Sequence, residues 1–182
     1  MTASFDRLLE DNEKRSRSTA EKGRRFEDVA RAYFLHDPVQ KQRFDEVLTY
    51  GDWAQRRGES RQDTGIDLMA RERNNTGWCA IQAKFYRPGS QLSKAGIDSF
   101  VADSDRADIA SRILIDTTTR DPSAHVRETL RRSSRPFHRV GLHRLRTSGV
   151  DWASVLRGDA KIETLPRKTP KEHQQEAIRA TI

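Results

Sequence analysis

Two short apolar segments joined by a polar turn constrain the fold of this chain more than any other feature. Residues 64–70 and 78–86 each alternate in the strand-like pattern that is typical of a β-hairpin, and the residues between them are polar. A two-residue turn at 74–75 places Asp67 directly opposite Gln82. Directly opposed residues have Cβ atoms about 4.5–5.5 Å apart. The sequence therefore predicts a hairpin that brings these two side chains together.

The second strand of this hairpin carries the polar residues of a candidate site. Successive strand side chains point to opposite faces, so Gln82 and Lys84 share one face while Ile81 and Ala83 share the other. A carboxylate from Asp67, an amide carbonyl and an ammonium group would then meet in one small volume. Oxygen ligands of this kind suit Mg²⁺, which is commonly bound by one or two protein oxygens. The pattern predicts a site for a metal ion and a phosphate.

The order of several motifs resembles a known nuclease superfamily. Asp67 followed by Gln82-Ala83-Lys84 is similar to the Asp…(Glu/Gln)-x-Lys signature of PD-(D/E)xK nucleases, in the Gln-x-Lys form of their Mrr-like branch. Further segments resemble, in order, the N-terminal nuclease domain of type ISP restriction–modification enzymes: 21–27, 37–38, 64–68, 81–86, 97–100 and 150–152. The resemblance covers most of residues 18–156. It implies a restriction-endonuclease-like α/β sandwich, in which α-helices flank a mixed central β-sheet.

The resemblance also implies a role for each residue of the site. Asp67 and the amide oxygen of Gln82 would bind Mg²⁺, or Mn²⁺ in its place, together with the backbone carbonyl of Ala83. Lys84 would orient the attacking water and stabilise the charge that develops on the phosphate. Glu27, on the first long helix, would help to organise the metal or the water. Most of the superfamily has glutamate where this chain has glutamine, so we expect weaker metal affinity.

Charge and composition favour an anionic partner. The chain of 182 residues has 34 lysines and arginines against 27 aspartates and glutamates, a formal net charge of +7 that suits nucleic acid. One cysteine excludes an intrachain disulfide and a Cys-rich zinc site, and a cytoplasmic location fits. Double-stranded DNA is the expected partner, and the candidate phosphate contacts are Arg87, Lys94, Thr117, Thr119, Arg131, Arg132 and Arg135. For the two threonines, a plain strand-to-helix turn is the favoured alternative. A solvated face, or a docking surface for other domains, explains the arginine cluster equally well; this cluster is Arg127, Arg131, Arg132, Arg135 and Arg139.

The apolar patterns divide the chain into segments. We expect residues 1–17 to form a loosely held helix or arm, and 18–158 to form the nuclease domain. Within this domain we expect a helix after Ser18, a first strand at 44–53, a polar loop at 54–63, the hairpin, and then helix, strand, helix and strand. The hairpin requires antiparallel pairing and the later strand–helix–strand units require parallel pairing, so the sheet is mixed. A linker at 159–170 and the start of a helicase-like RecA-type domain at 171–182 complete the prediction.

By this resemblance, the full enzyme would add helicase-like, methyltransferase and target-recognition domains, which use ATP and S-adenosylmethionine. The expected activity is Mg²⁺-dependent cleavage of double-stranded DNA, with the choice of sequence made elsewhere in the full enzyme. Three alternatives remain open. They are a non-catalytic DNA-binding or docking module on a nuclease scaffold, an RNA-directed nuclease or junction resolvase of the same superfamily, and a protein-interaction adaptor that uses the arginine cluster.

Overall fold

The structure is a computed structural model that describes residues 2–60, 65–74, 77–87, 89–92 and 94–159. Within these ranges a five-stranded sheet forms the centre, in the order β1-β2-β3-β4-β5. The strands are β1 (Phe44–Thr49), β2 (Leu68–Glu72), β3 (Trp78–Lys84), β4 (Ile109–Asp116) and β5 (Phe137–Val140). The first three strands pair antiparallel, whereas β4 is parallel to both β3 and β5. The predicted mixed sheet is confirmed.

Eight helices surround the sheet in the described part of the chain. They are α1 (Thr2–Arg15), α2 (Thr19–His36), α3 (Pro38–Arg43), α4 (Tyr50–Arg57), α5 (Lys94–Asp103), α6 (Ala124–Arg132), α7 (Leu142–Arg146) and α8 (Trp152–Arg157). None of these described helices has the length and apolar character that crossing a membrane requires. The predicted linker and helicase-like segment lie outside the described residues, apart from Asp159.

The register of the hairpin agrees with the prediction. Leu68 pairs with Ile81 and the pairing continues to Arg71 and Trp78, so that Asp67, one residue before the paired stretch, faces Gln82. The two residues at 75–76 lie outside the described ranges. Because a one-residue slip would move every side chain to the other face of the sheet, this register fixes which residues can reach the candidate site.

Helices cover both faces of the sheet, as expected for an α/β sandwich. Ile81 and Ala83 pack in a core that includes Phe26 of α2, whereas Met69 and Ala80 pack on the other face with Trp53 of α4 and Phe100 of α5. The alternation predicted for β3 is therefore observed. Gln82 lies between Ile81 and Ala83 on this strand, so its side chain leaves the sheet on the face opposite to α2.

The N-terminal helix is packed and not loosely held. Phe5 is fully buried, and its ring lies 4.8 Å from that of Trp152 in an edge-on contact. Arg146 donates to Asp6 at 2.9 Å. The predicted helix is present, but the expectation that it is loosely held is wrong, because α1 packs against α2 and against α7 and α8, which come much later in the sequence.

The first strand is shorter than predicted. It ends at Thr49, whose side chain caps α4 by accepting a hydrogen bond from the Asp52 N–H at 3.1 Å. The residues from Tyr50 to Arg57 are therefore helical, although we assigned part of them to the strand and part to a loop. A threonine with an aspartate three residues later, Thr49 and Asp52, is the missed signal for a helix start.

Candidate active site

A cleft opens at the end of the sheet where β3 meets the start of α2. Its volume is about 720 Å³. The charged residues in its lining come from α1, α2, the residue before β2, the end of β3 and the segment after β3: Glu13, Lys22, Arg24, Glu27, Asp67, Lys84 and Arg87. Three of the four residues predicted to be catalytic, namely Asp67, Lys84 and Glu27, thus share one cleft with Ala83.

Asp67 is fixed against the strand that carries the other candidate residues. Its Oδ2 accepts a hydrogen bond from the Ala83 N–H at 2.6 Å. Its backbone is held on both sides, because its N–H donates to Ile81 O at 3.0 Å and its carbonyl accepts from Tyr50 N at 2.9 Å. The carboxylate therefore lies beside the residue that separates Gln82 from Lys84. An N–H donor to a carboxylate makes one of the stronger hydrogen bonds in proteins.

Gln82 is buried and only half of its amide is satisfied. Its side chain is 2% exposed, and Nε2 donates to the Gly65 carbonyl at 2.8 Å. Its Oε1 is buried without a hydrogen-bond partner among the described residues. A buried polar atom without a partner costs about 1–3 kcal/mol, so this oxygen has a bond to offer to a water molecule or an ion. Gly65 has a φ of 70°, a left-handed conformation that favours glycine, and this turn presents its carbonyl to Gln82.

Lys84 and Glu27 reach the cleft from different elements that pack against each other. Lys84 is the last residue of β3, and Glu27 follows Phe26 on α2. The ring of Phe26 lies 5.8 Å from that of Phe85, which joins the helix to the end of the strand. Because Phe26 is fully buried, Glu27 is held at the border between the core and the cleft.

The oxygen donors of this corner suit a hard divalent cation. Asp67 provides a carboxylate, Gln82 an unpartnered amide oxygen and Ala83 a backbone carbonyl, the ligand types that Mg²⁺ prefers. In the described ranges, no group of three or more His, Cys, Asp or Glu residues could hold a metal ion. A cation here would therefore depend on neutral oxygens and on further oxygens from water or phosphate.

Cys79 lies on β3 but has no chemical role in the cleft. The thiol is buried, and this burial raises its pKa to about 12. A thiol of that pKa stays protonated at neutral pH and is a poor nucleophile. Cys79 is a packing residue of the core.

The predicted phosphate contacts are divided between two regions. Arg87 is exposed and lines the cleft. A second groove, of about 550 Å³, lies between α5 and α6, and we name it the α5–α6 groove; its charged lining residues are Lys94, Asp105, Arg112, Glu128 and Arg132. Lys94 is paired with Asp98 at 2.8 Å. Lys94, Arg131, Arg132 and Arg135 do not line the cleft.

Of the two threonines that are candidates for a phosphate contact, one is fully engaged by the protein itself. Thr117 is 3% exposed, and its hydroxyl accepts from the Tyr86 N–H at 2.7 Å and donates to the Tyr86 carbonyl at 2.9 Å. The expectation is wrong for this residue, because a buried hydroxyl engaged on both sides is unavailable to phosphate. Thr119 is exposed, and its hydroxyl accepts from Gly89 N at 3.1 Å.

Two basic residues of the cleft were missed from the sequence. Arg24 is exposed, and Lys22 forms an ion pair with Glu13 of α1. The Asn12 side chain also donates to the Lys22 carbonyl at 3.2 Å, which joins α1 to the start of α2. A signal for Arg24 was present, since residues three apart on a helix share a face and Arg24 precedes Glu27 by three.

Comparison with known proteins gives the same assignment. The Mrr_cat_2 family model, described as restriction endonuclease, matches residues 35–162. The chain is similar to the solved structure of the ATP-dependent Type ISP restriction-modification enzyme LlaBIII bound to DNA, with 26% identity and a TM-score of 0.70 over 96% of this chain. It spans only 10% of that protein.

The MspJI restriction endonuclease in complex with a 27-mer oligonucleotide also matches, with 16% identity and a TM-score of 0.47 over 97% of this chain and 38% of that one. No curated protein matches the chain. The match to LlaBIII confirms the predicted restriction-endonuclease-like fold. The chain belongs to the Mrr-like restriction endonuclease family.

Proposed function

We propose that this chain hydrolyses phosphodiester bonds of double-stranded DNA with the help of Mg²⁺, for which Mn²⁺ can substitute. The observation that carries the proposal is the position of the Asp67 carboxylate, whose Oδ2 lies 2.6 Å from the nitrogen of Ala83, the residue between Gln82 and Lys84. Asp67 and Lys84 line one cleft, together with the basic residues Lys22, Arg24 and Arg87. Membership of a restriction endonuclease family and similarity to a DNA-bound relative support it.

Each residue that the sequence predicted to be catalytic would have a task in this chemistry, and Gln82 would act from its buried position beside the cleft. A bound Mg²⁺ lowers the pKa of its water and stabilises negative charge on the phosphate. Asp67 and Gln82 Oε1 would hold the cation together with the Ala83 carbonyl. The Lys84 ammonium would orient the attacking water and stabilise the phosphate charge in the transition state. Glu27 would position a water from the side of α2.

We further propose that the chain works within a larger restriction–modification enzyme. The similar structure is an ATP-dependent enzyme of which this chain covers 10%. Helicase-like, methyltransferase and target-recognition domains, with ATP and S-adenosylmethionine, would then choose the DNA site and protect the host. This division of labour agrees with a cleft whose basic residues suit the DNA backbone, since phosphate contacts carry no sequence information directly.

Nicking of a supercoiled plasmid tests the proposal. We expect nicked circles with Mg²⁺ or Mn²⁺ and none with EDTA. Asp67→Asn and Lys84→Ala should each lower the nicking rate by about 10²-fold or more, since each removes a group that acts on the transition state. Matched controls are Asp45→Asn and Lys41→Ala, which change exposed residues outside the cleft and should leave the rate unchanged. Nicking that persists unchanged in Asp67→Asn would disprove the assignment.

One observation favours a second candidate function, a non-catalytic DNA-binding module. Gln82 is neutral, and its amide nitrogen is engaged with Gly65, so the corner has one carboxylate fewer than an Asp–Glu pair would provide. Under this alternative the protein would bind DNA with the steep salt dependence of phosphate contacts but would not nick it with either metal. The plasmid assay, run also on the larger enzyme that we propose, distinguishes the two.

A further inference from the structure

The segment after β3 carries a basic residue into the cleft without the support of a strand. β3 ends at Lys84, and residues 85–87 have no regular secondary structure. The exposed side chain of Arg87 nevertheless lines the cleft. A long side chain on an unsupported backbone would lose much conformational entropy on binding a phosphate. The contacts that fix this backbone therefore influence how strongly Arg87 can bind a phosphate.

The hydroxyl group of Thr117 forms hydrogen bonds with both polar groups of one backbone residue in this segment. Thr117 Oγ1 accepts from Tyr86 N at 2.7 Å and donates to Tyr86 O at 2.9 Å. The N–H of Thr117 also donates to the Lys84 carbonyl at 3.3 Å. Lys84 and Asp116 form the last residue pair between β3 and β4. The Thr117 side chain therefore adds hydrogen bonds between the two chain segments just beyond the ends of these strands. At 3% exposure, these bonds are shielded from competing water.

The two residues that flank Thr117 are held by an ion pair with a buried carboxylate. Asp116 is fully buried, and its carboxylate accepts from Arg139 Nε at 2.6 Å and from Arg139 Nη2 at 3.0 Å. The same carboxylate accepts from the Thr118 N–H at 2.9 Å and from the Thr118 hydroxyl at 2.6 Å. A two-pronged arginine–carboxylate pair has a strongly preferred geometry. The backbone on both sides of Thr117 is therefore fixed by contacts that do not involve Tyr86.

We propose that Thr117 is a positioning residue of the cleft. By fixing both polar groups of the Tyr86 backbone, its hydroxyl sets the direction in which the next residue, Arg87, enters the cleft to contact a DNA phosphate. The inference rests on the proposed function, because it requires DNA in the cleft. It gives the Thr117 side chain an indirect role in place of the direct phosphate contact that the sequence suggested.

A double-mutant cycle of DNA binding tests this role. The affinity for a fluorescent duplex is measured by anisotropy in EDTA over a range of salt concentrations, for wild type, Thr117→Val, Arg87→Ala and the double variant. One lost phosphate contact lowers the salt slope by about one and the affinity at about 0.1 M salt by about tenfold. We expect this loss in both single variants and no further loss in the double variant. Thr117→Ser, which keeps the hydroxyl, should bind as wild type does.

Two controls separate positioning from general destabilisation. Thr129→Val removes another hydroxyl that donates to backbone, on α6, and should leave the salt slope unchanged. Amide hydrogen exchange should become faster at Tyr86 in Thr117→Val and not across the core. Should Thr117→Val fail to fold, Thr117→Ala takes its place in the cycle.

Each other outcome overturns the inference in a recognisable way. Losses that add in the double variant, or a salt slope unchanged in Thr117→Val, would show that Thr117 does not act through Arg87. An Arg87→Ala variant that binds as wild type does would remove Arg87 from the DNA contacts while leaving the nuclease proposal standing. A wild-type protein without salt-dependent DNA binding would overturn the proposed function and the inference together.

Discussion

The cleft and the α5–α6 groove are both lined with basic residues, but their charges are arranged differently. Among the described residues, Arg24, Lys84 and Arg87 of the cleft form no ion pair. In and beside the α5–α6 groove, the basic side chains are paired within the protein. The pairs are Lys94 with Asp98, Arg131 and Arg132 with Glu128, and Arg135 with Asp105. Unpaired positive charge beside a carboxylate suits a phosphate backbone, whereas the charge of a paired side chain is already balanced within the protein.

Arg112 of the α5–α6 groove is buried, and its guanidinium group is hydrogen-bonded to other residues of the protein. The side chain is 1% exposed and donates to Ser104 Oγ at 2.6 Å, to Ser133 Oγ at 2.9 Å and to the Val101 carbonyl at 3.3 Å. Burial lowers the pKa of its guanidinium group below the ordinary value. Arg112 therefore joins β4 to the end of α5 and to the turn after α6.

Replacing Arg112 should produce the largest effect on stability in this comparison. Arg112→Ala leaves buried acceptors without donors and creates a cavity, so we expect the free energy of unfolding to fall by about 3 kcal/mol. Urea unfolding measures this change. The exposed Arg132 is the control, and Arg132→Ala should alter the free energy of unfolding by less than about 0.5 kcal/mol. A folded Arg112→Ala variant that had lost DNA affinity would contradict the structural role that we assign to the groove.

The matched arginines Arg24 and Arg131 test the other side of the comparison. Both are exposed helical residues, but only Arg24 lines the cleft. Arg24→Ala should lower DNA affinity at about 0.1 M salt by about tenfold and reduce the salt slope by about one, since one phosphate contact is lost. Arg131→Ala should change neither quantity. Equal losses in the two variants would show that DNA reaches α6 and that pairing within the protein does not identify the binding surface.

A third group of charges, formed by Glu59, Arg57 and Arg106, extends the comparison to the dependence of stability on pH. We expect its effect to be the smallest of the three. Glu59 accepts from Arg106 and Arg57, and these hydrogen bonds lower its pKa to about 2. A carboxyl group with a lowered folded-state pKa contributes stability above its unfolded value, near 4.5, and loses it as the pH falls towards 2. Thermal unfolding of wild type and Glu59→Gln should therefore differ at pH 6 and converge near pH 2. A difference that is independent of pH would refute the ion-pair assignment.

The parts of the fold that local pattern controls were predicted from the sequence. The Asp67–Gln82 register follows from the alternation of two adjacent strands and a short turn, all within about 20 residues. The burial of Phe5 against Trp152 could not be predicted in this way, because those partners are distant in the sequence and meet only in the folded domain. The end of β1 was predicted wrongly because its apolar pattern continues to Trp53. The helix cap at Thr49 overrides this pattern, so the strand ends there and α4 begins.

The candidate site was predicted to a similar extent. Asp67 and Lys84 share a cleft because the hairpin determines their positions. The bond between Gln82 and Gly65 depends on a left-handed turn before β2, which no strand pattern reveals. The double engagement of Thr117 depends on the parallel pairing of β3 and β4, and the sequence alone gives neither partner nor distance.

The central claim is that the corner formed by Asp67, Gln82 and Ala83 binds a divalent cation together with DNA. Calorimetric titration of Mn²⁺ into wild type and Asp67→Asn, each with and without a short duplex, tests it most directly. We predict weak binding to wild type that becomes tighter when the duplex supplies phosphate oxygens, and no binding at this corner in Asp67→Asn. Mn²⁺ binding of the same affinity to both proteins, unaffected by the duplex, would contradict the account.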